Sequence, residues 1–336
     1  QVRSRNVKLM DSSKSCMIPD MSTQTDRHPS LRLQALVEAL LGEEAPAFWM
    51  WSRTRLPSTL RVNRMRMDPE VLRRRLETQG FVLEPHPLGP EVFVIREAPF
   101  PPGNTLEHYM GAFYLQSLAS MIPPVVLDPQ PGERVLDLTA APGSKTTQIA
   151  ERMNYTGVVV ANELDRTRLK ALSNNVDRMG AYNVVITELD GTRIGSLMPE
   201  AFDRVLLDAP CSALGTLHQN PDVLQWWNMK KVRRLAGLQR KLILSAYDAL
   251  RPGGMMVYAT CTLTPHENEA ILAWLLQHRP GAELLPLPSL PFELTPGLTR
   301  FQGQTYPEAV RHAARLYPHR NHTEGFFFAR LRKSGG

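Results

Sequence analysis

The runs Val135 to Leu138, Val158 to Asn162, Val184 to Leu189, Arg204 to Leu207 and Met255 to Tyr258 are short and apolar, as buried strands are. Helical stretches fall among them at Ser144 to Arg152, Asp165 to Met179 and Lys230 to Leu250, with a further one at His266 to Gln277. Strands alternating with helices at this spacing specify an α/β fold with a doubly wound, mostly parallel sheet. Gly325 to Leu331 supplies a closing strand. In such a sheet ligands bind in the crevice outside the carboxyl ends of the strands. The residues just after each apolar run are therefore the ones to read for chemistry.

The first run leads into Asp137-Leu-Thr-Ala-Ala-Pro-Gly-Ser-Lys-Thr146. A dinucleotide loop needs G-x-G-x-x-G, and a phosphate-cradling loop needs G-x-x-x-x-G-K-[ST]. Here there is one glycine, not adjacent to the lysine, so both are rejected. A tight strand-to-helix turn approaching the methionine moiety of S-adenosyl-L-methionine (AdoMet) remains. Acids at the following strand ends agree with it. Glu163 is placed to accept hydrogen bonds from both ribose hydroxyls. Asp190 is placed to meet the adenine amino group, and Asp208 follows the fourth strand.

Two of the three cysteines also close strands, in Asp208-Ala-Pro-Cys-Ser212 and Ala259-Thr-Cys-Thr262. Carbon 5 of a pyrimidine is barely nucleophilic until a thiolate adds to carbon 6. A base must then remove the C5 proton to free the enzyme. Addition and release account for two thiols; which does which is open on the chemistry alone. The bland alternative is a pair of buried structural thiols.

With 336 residues, 43% of them hydrophobic, the chain can bury a large core beside a smaller module. No cysteine stands in a CxxC pair, which argues against a disulfide framework and a cysteine zinc site. Free thiols suit a reducing cytoplasm, and no apolar run approaches membrane-spanning length. The net charge of +6 favours a polyanionic partner. Residues 1–30 read as a disordered or vector-derived extension. Residues 31–108 read as an N-terminal α/β RNA-binding module ending in a Pro-rich boundary (Pro99, Pro101, Pro102), and 109–333 as the catalytic domain. A helix is expected from Leu106 to Met121, and a Pro-rich ordered excursion from 281 to 324.

Thr139-Ala-Ala-Pro-Gly-Ser-Lys145, Asp208-Ala-Pro-Cys-Ser212 and Thr260-Cys-Thr-Leu-Thr-Pro-His-Glu-Asn-Glu269 resemble the RNA 5-methylcytosine methyltransferases of the NOL1/NOP2/Sun (RsmB/RsmF) family. Leu60-Arg-Val-Asn63, Tyr114-Leu-Gln116 with Ser120-Met121, and Glu324-Gly-Phe-Phe327 extend the similarity over residues 55–333. The bacterial 16S rRNA enzymes of RsmF type match best within the family, and shorter archaeal tRNA members are also similar. The resemblance implies a Rossmann-like AdoMet-dependent RNA (cytosine-5-)-methyltransferase. Cys261 is then the nucleophile and Cys211 assists release. Asp208 contacts cytosine and cofactor. Thr139, Ala140, Ala141, Pro142, Gly143, Ser144, Lys145, Glu163 and Asp190 bind AdoMet, with Lys145 also an active-site lysine. A cytoplasmic monomer acting on RNA, without metal or membrane, is expected, and a catalytically idle RNA-assembly factor is the alternative.

A C5 carbon is unreachable inside a stacked helix, so the target base must be splayed out. Candidate phosphate contacts are Arg61, Arg64, Arg66, Arg73 to Arg75, Lys230, Lys231, Arg233 and Arg234. Trp226 and Trp227 are expected in the core. His218, His266 and His319 are expected to be structural or at the surface.

Overall fold

The structure, a computed structural model, describes residues 28–335. The reading of 1–30 as an extension falls almost wholly outside them. Four strands, β1 (Thr59–Val62), β2 (Val82–Pro85), β3 (Val92–Glu97) and β4 (Phe113–Leu115), form a small antiparallel sheet in the order β2-β3-β1-β4. Helix Pro69–Glu77, capped by Asp68, closes its core through Leu72 and Leu76.

The large sheet carries β5 (Arg134–Asp137), β6 (Val158–Asn162), β7 (Val184–Thr187), β8 (Phe202–Asp208) and β9 (Leu250–Thr260) in the parallel order β7-β6-β5-β8-β9. The chain moves outward from β5 to β7 and then returns to place β8 on the other side of β5. That reversal opens the crevice at the carboxyl ends of β5 and β8. Valine and leucine dominate these strands because both faces are covered.

Beyond β9 the sheet turns antiparallel. The Pro-rich segment adds β10 (Ala282–Leu285), β11 (Leu294–Pro296), the ribbon β12 (Arg300–Phe301) with β13 (Gln304–Thr305), and β14 (Ala314–Leu316). The closing strand β15 (Phe326–Lys333) pairs with β9, with β14 and with β10. Phe327 lies opposite Thr260, so the start of β15 abuts the end of β9.

Two expectations need correction. The helix foreseen from Leu106 to Met121 is three pieces: a turn of helix Leu106–Tyr109, strand β4, and a new helix Leu118–Leu127 capped by Ser117. Gly111 breaks it with φ +71°, and a Cβ there would stand 1.9 Å from the Arg178 carbonyl oxygen. The small sheet therefore takes its fourth strand from beyond residue 108. The segment 31–108 is also not one packing unit. Helices Leu31–Leu41 and Ala45–Trp51 bury Leu33, Leu36, Phe48 and Trp51 in the core of the large sheet, whereas the small sheet has its own core.

Candidate active site

Each strand end delivers its side chains to the crevice. Thr139, after β5, donates its hydroxyl to the Asp208 carbonyl at 2.8 Å, tying the first loop to the end of β8. Gly143 caps helix Ser144–Arg152 with φ +103°, a conformation that favours glycine. The Ala140 N–H donates to the Asn162 carbonyl, and the Ala141 and Pro142 carbonyls accept from Arg168 and Asn175. Ser144 and Lys145 begin the helix.

Glu163, at the end of β6, uses Oε1 to accept from the Asp165 N–H at 2.9 Å. Its Oε2 is buried and accepts no hydrogen bond, although Arg168 Nη1 lies 3.3 Å away. An orphaned acceptor beside a strand-to-helix turn suits a ligand's hydroxyl groups. Asp190 follows β7, exposed, with Oδ1 held by the backbone N–H and hydroxyl of Thr192; those bonds lower its pKa. Asn162 links the ends of β5, β6 and β7: its amide donates to the Leu138 and Leu189 carbonyls and accepts from the Leu189 N–H.

On the β8 and β9 side the two sulfurs meet. Cys211 Sγ and Cys261 Sγ are 3.1 Å apart, both half-buried. The hydrogen bond to Cys261, then burial, then the charges of Cys261 and Glu267 push the Cys211 thiol well up. Either thiol can donate in this contact.

Lys145 reaches across from its helix to Asp208, with Nζ 2.6 Å from Oδ2, and donates to Ser120 Oγ at 2.9 Å. Burial alone would lower the ammonium. Asp208, Asp137 and Cys261 outweigh it, and the pKa stands above the usual lysine value. Asp137 is completely buried beneath this pair and accepts from Thr146 at 2.7 Å; burial raises its carboxyl to about 6.

Lys145, Asp208 and Cys261 line a cavity of about 730 Å³. One wall comes from the N-terminal segment (Arg55 to Thr59, His86, Arg96), the other from Thr216, His218, Gln219 and Asn321 to Glu324. Ser144 and Pro142 also reach it, whereas Thr139, Ala140, Ala141, Glu163 and Asp190 stand at the adjoining strand ends. The structure thus brings Cys211, Cys261, Asp208 and Lys145 into one cluster.

Several residues at the site escaped sequence reasoning. Ser117 belongs to the helix start hidden by the expected longer helix, and Ser120, in the same turn, had only its place in a motif to mark it. Glu324 lines the cavity, accepts from Ser117 at 2.6 Å and has its pKa raised by burial. Glu324 and Glu267 both lie inside recognised motifs, which was the only signal available for them.

Arg61 needs correction as a phosphate contact. It is 1% exposed, ion-paired with Glu151, and donates to Thr147 and Gln116 at 3.0 Å each. Arg73 and Arg74 are committed to Glu70, Arg73 also to Glu77, and Arg75 to Glu107. Trp227 is buried as expected, while Trp226 is half-buried with Lys231 Nζ 3.2 Å from its ring centroid. His218 packs on Trp51, and burial lowers its pKa to about 4.

Residues 124–332 match the family model described as 16S rRNA methyltransferase RsmB/F, and residues 32–118 match the N-terminal domain of 16S rRNA methyltransferase RsmF. The chain belongs to the RsmB/F family. It is 44% identical over 286 residues to ribosomal RNA small subunit methyltransferase F of Enterobacter sp. (strain 638), covering 83% of this chain and 57% of that protein. The enzyme of the same name from Escherichia coli O139:H28 is 42% identical over 285 residues with the same coverage. The chain thus spans little more than half the length of these relatives. Among solved structures, a methyltransferase homolog protein from Pyrococcus horikoshii is 38% identical with a TM-score of 0.79, over 89% of this chain and 93% of that one. NSun6 from Pyrococcus horikoshii with SFG is 25% identical with a TM-score of 0.78, over 90% of this chain and 98% of that one. Among the described residues no helix is long and apolar enough to cross a membrane, and no cluster of three metal-ligating side chains occurs.

Proposed function

We propose that this chain carries the catalytic part of an AdoMet-dependent RNA cytosine-C5 methyltransferase acting on small-subunit rRNA. The observation that carries it is the sulfur pair, 3.1 Å apart, whose Cys261 lines one cavity together with the Lys145–Asp208 ion pair. The names of the 42–44% identical relatives support the rRNA assignment. The orphaned Glu163 oxygen and the Thr139–Lys145 turn fit AdoMet, and a neighbour solved with SFG, an AdoMet analogue, agrees.

Cys261 adds to C6 of a splayed-out cytosine, forming the S–C6 bond and pushing the C5=C6 π electrons toward C5 and the N3–C4 face. Lys145 and Asp208 hold the polar edge of the ring and offset the charge that develops there. AdoMet, when bound, supplies the electrophilic methyl that this carbon takes up. The C5 proton must then leave. While Cys261 is an anion its hydrogen bond and charge keep Cys211 protonated. Once Cys261 is a thioether that anion is gone, and Cys211 passes its original proton to solvent. The Cys211 thiolate then takes the C5 proton as the S–C6 bond breaks, returning the thiolate to Cys261.

Incubating the protein with small-subunit RNA and AdoMet, then reading methylation by bisulfite sequencing, tests this. Cys261→Ala is expected to be inactive. Cys211→Ala is expected to leave an RNA–protein adduct stable on a denaturing gel. Full methylation by Cys261→Ala would end the mechanism.

A further inference from the structure

Glu267 is the most unusual acid in the molecule outside the cavity. It is wholly buried, and no lysine, arginine or histidine pairs with it among the described residues. Burying a carboxylate without a counter-cation is costly unless hydrogen bonds satisfy it. Four donors do so. Oε1 accepts from the Ser212 N–H at 2.9 Å and from Gln239 Nε2 at 3.0 Å. Oε2 accepts from Thr264 Oγ1 at 2.7 Å and from the Ser212 hydroxyl.

These donors come from both thiol-bearing loops. Ser212 follows Cys211 directly, and Thr264 stands three residues after Cys261. Between them, Ser212 Oγ and Thr262 Oγ1 are 2.9 Å apart, so the residues next to the two cysteines also touch. Gln239 anchors the same carboxylate to helix Met229–Ala249 and also donates to the Pro210 carbonyl at 2.8 Å. One planar acceptor thus joins the side chains of two loops whose backbones meet at Asp208 and Ala259 and, further on, through the Gly215 N–H donating to the Cys261 carbonyl at 2.9 Å.

We infer that Glu267 is a positioning residue that holds the Cys211 and Cys261 sulfurs in register by hydrogen-bonding both of their loops. It touches neither the cavity nor the strand ends assigned to AdoMet. Removing it therefore displaces the thiols relative to each other rather than emptying either binding site. The inference rests on the two-thiol mechanism, but its geometric half can be read without RNA or AdoMet.

The first measurement is the rate at which diamide closes a Cys211–Cys261 disulfide in the full chain. The two thiols lose two electrons and two protons, diamide becomes the hydrazine, and one S–S bond forms. The second is a kcat and KM split for RNA methylation, with AdoMet affinity taken by calorimetry. Glu267→Ala is expected to slow disulfide closure at least ~10-fold and to lower kcat about 100-fold, the scale of a 1 Å misplacement, with KM and AdoMet affinity nearly unchanged. Glu267→Gln retains an acceptor for the Ser212 N–H and Gln239, and the Ser212 and Thr264 hydroxyls can turn to accept from its amide. It is expected to restore most of both rates.

Wild-type closure or wild-type kcat in Glu267→Ala overturns the inference. So does a Glu267→Gln protein that folds yet behaves like alanine, or an alanine variant that loses AdoMet binding along with its thiol geometry. Should Glu267→Ala fail to fold, Thr264→Val removes one donor of the four and is expected to slow both rates; unchanged rates in it overturn the inference as well. If closure responds as expected while the wild type methylates no RNA, the proposed reaction has failed and the positioning role has not.

Discussion

Asp137 shows what one buried carboxyl does at this site. Its pKa is raised to about 6 by burial, partly offset by the Thr146 hydroxyl and Lys145. An acid that binds its proton more tightly when folded stabilises the fold at low pH. That contribution is complete below the unfolded value near 4 and is lost as pH rises through about 6. Asp137→Asn removes the titration and keeps an acceptor for Thr146. Relative to wild type, the variant should gain stability between pH 4 and pH 7, by up to about 3 kcal/mol at one pKa unit per 1.36 kcal/mol. Urea unfolding at both pH values checks it, and a pH-independent difference would refute it. The reading of Asp137 as a mere strand residue was all that periodicity could offer, because burial beneath a lysine formed with another strand's aspartate is a tertiary fact. Cys211, Cys261 and Asp208 were legible because each ends an apolar run and the crevice rule then fixes where it points. Glu267 was visible only as a member of a motif, and its role was not legible: its partners Ser212, Gln239 and Thr264 are spread over 53 positions and meet only in the fold.

Elements repeat the lesson. The parallel strands β5 to β9 were legible from their apolar runs, since strands covered on both faces carry no polar alternation to blur them. The antiparallel strands β10, β11 and β14 were not, because β11 and β14 are three residues long and the segment's prolines read as loop. Residues 59–67 alternate apolar and basic side chains, but strand β1 runs only from Thr59 to Val62 and its Arg61 is buried. Alternating apolar and basic residues ordinarily mark a half-exposed strand, yet β1 is buried at all four positions because helix Ser144–Arg152 covers its other face through Glu151 and Thr147. Arg61 thereby binds the small sheet to the helix that follows β5 of the large sheet. Arg61→Ala leaves Glu151 buried without its partner, and removing one side of such a pair costs about 3–5 kcal/mol. Chemical denaturation should show that loss, with Arg61→Lys also impaired because one ammonium cannot serve Glu151, Thr147 and Gln116 together. A loss confined to RNA affinity, at unchanged stability, would return Arg61 to the phosphate-contact role.

At the scale of the whole molecule, residues from both sheets and their loops line the cavity, Cys261 among them, and the helices Leu31–Leu41 and Ala45–Trp51 pack in the core of the large sheet. The helix pair braces the far wall as well as the near one: Glu44 pairs with His319 and Arg320, and Trp51 packs on His218. Arg55 is exposed on the same cavity lining as Cys261, which places it in the way of a single-stranded polyanion under the proposed function. Arg96 shares that wall but is committed to Glu84 at 2.5 Å, so Arg55 is the stronger candidate for a phosphate contact. Each neutralised phosphate on a single strand contributes about −0.7 to the slope of log affinity against log salt. Arg55→Glu should therefore weaken RNA binding and flatten that slope by about one contact, while AdoMet affinity holds. Fluorescence anisotropy of a labelled RNA from low to moderate salt measures both. An unchanged slope would place the strand elsewhere and move the search to the exposed Arg64 and Arg66 beyond the end of β1.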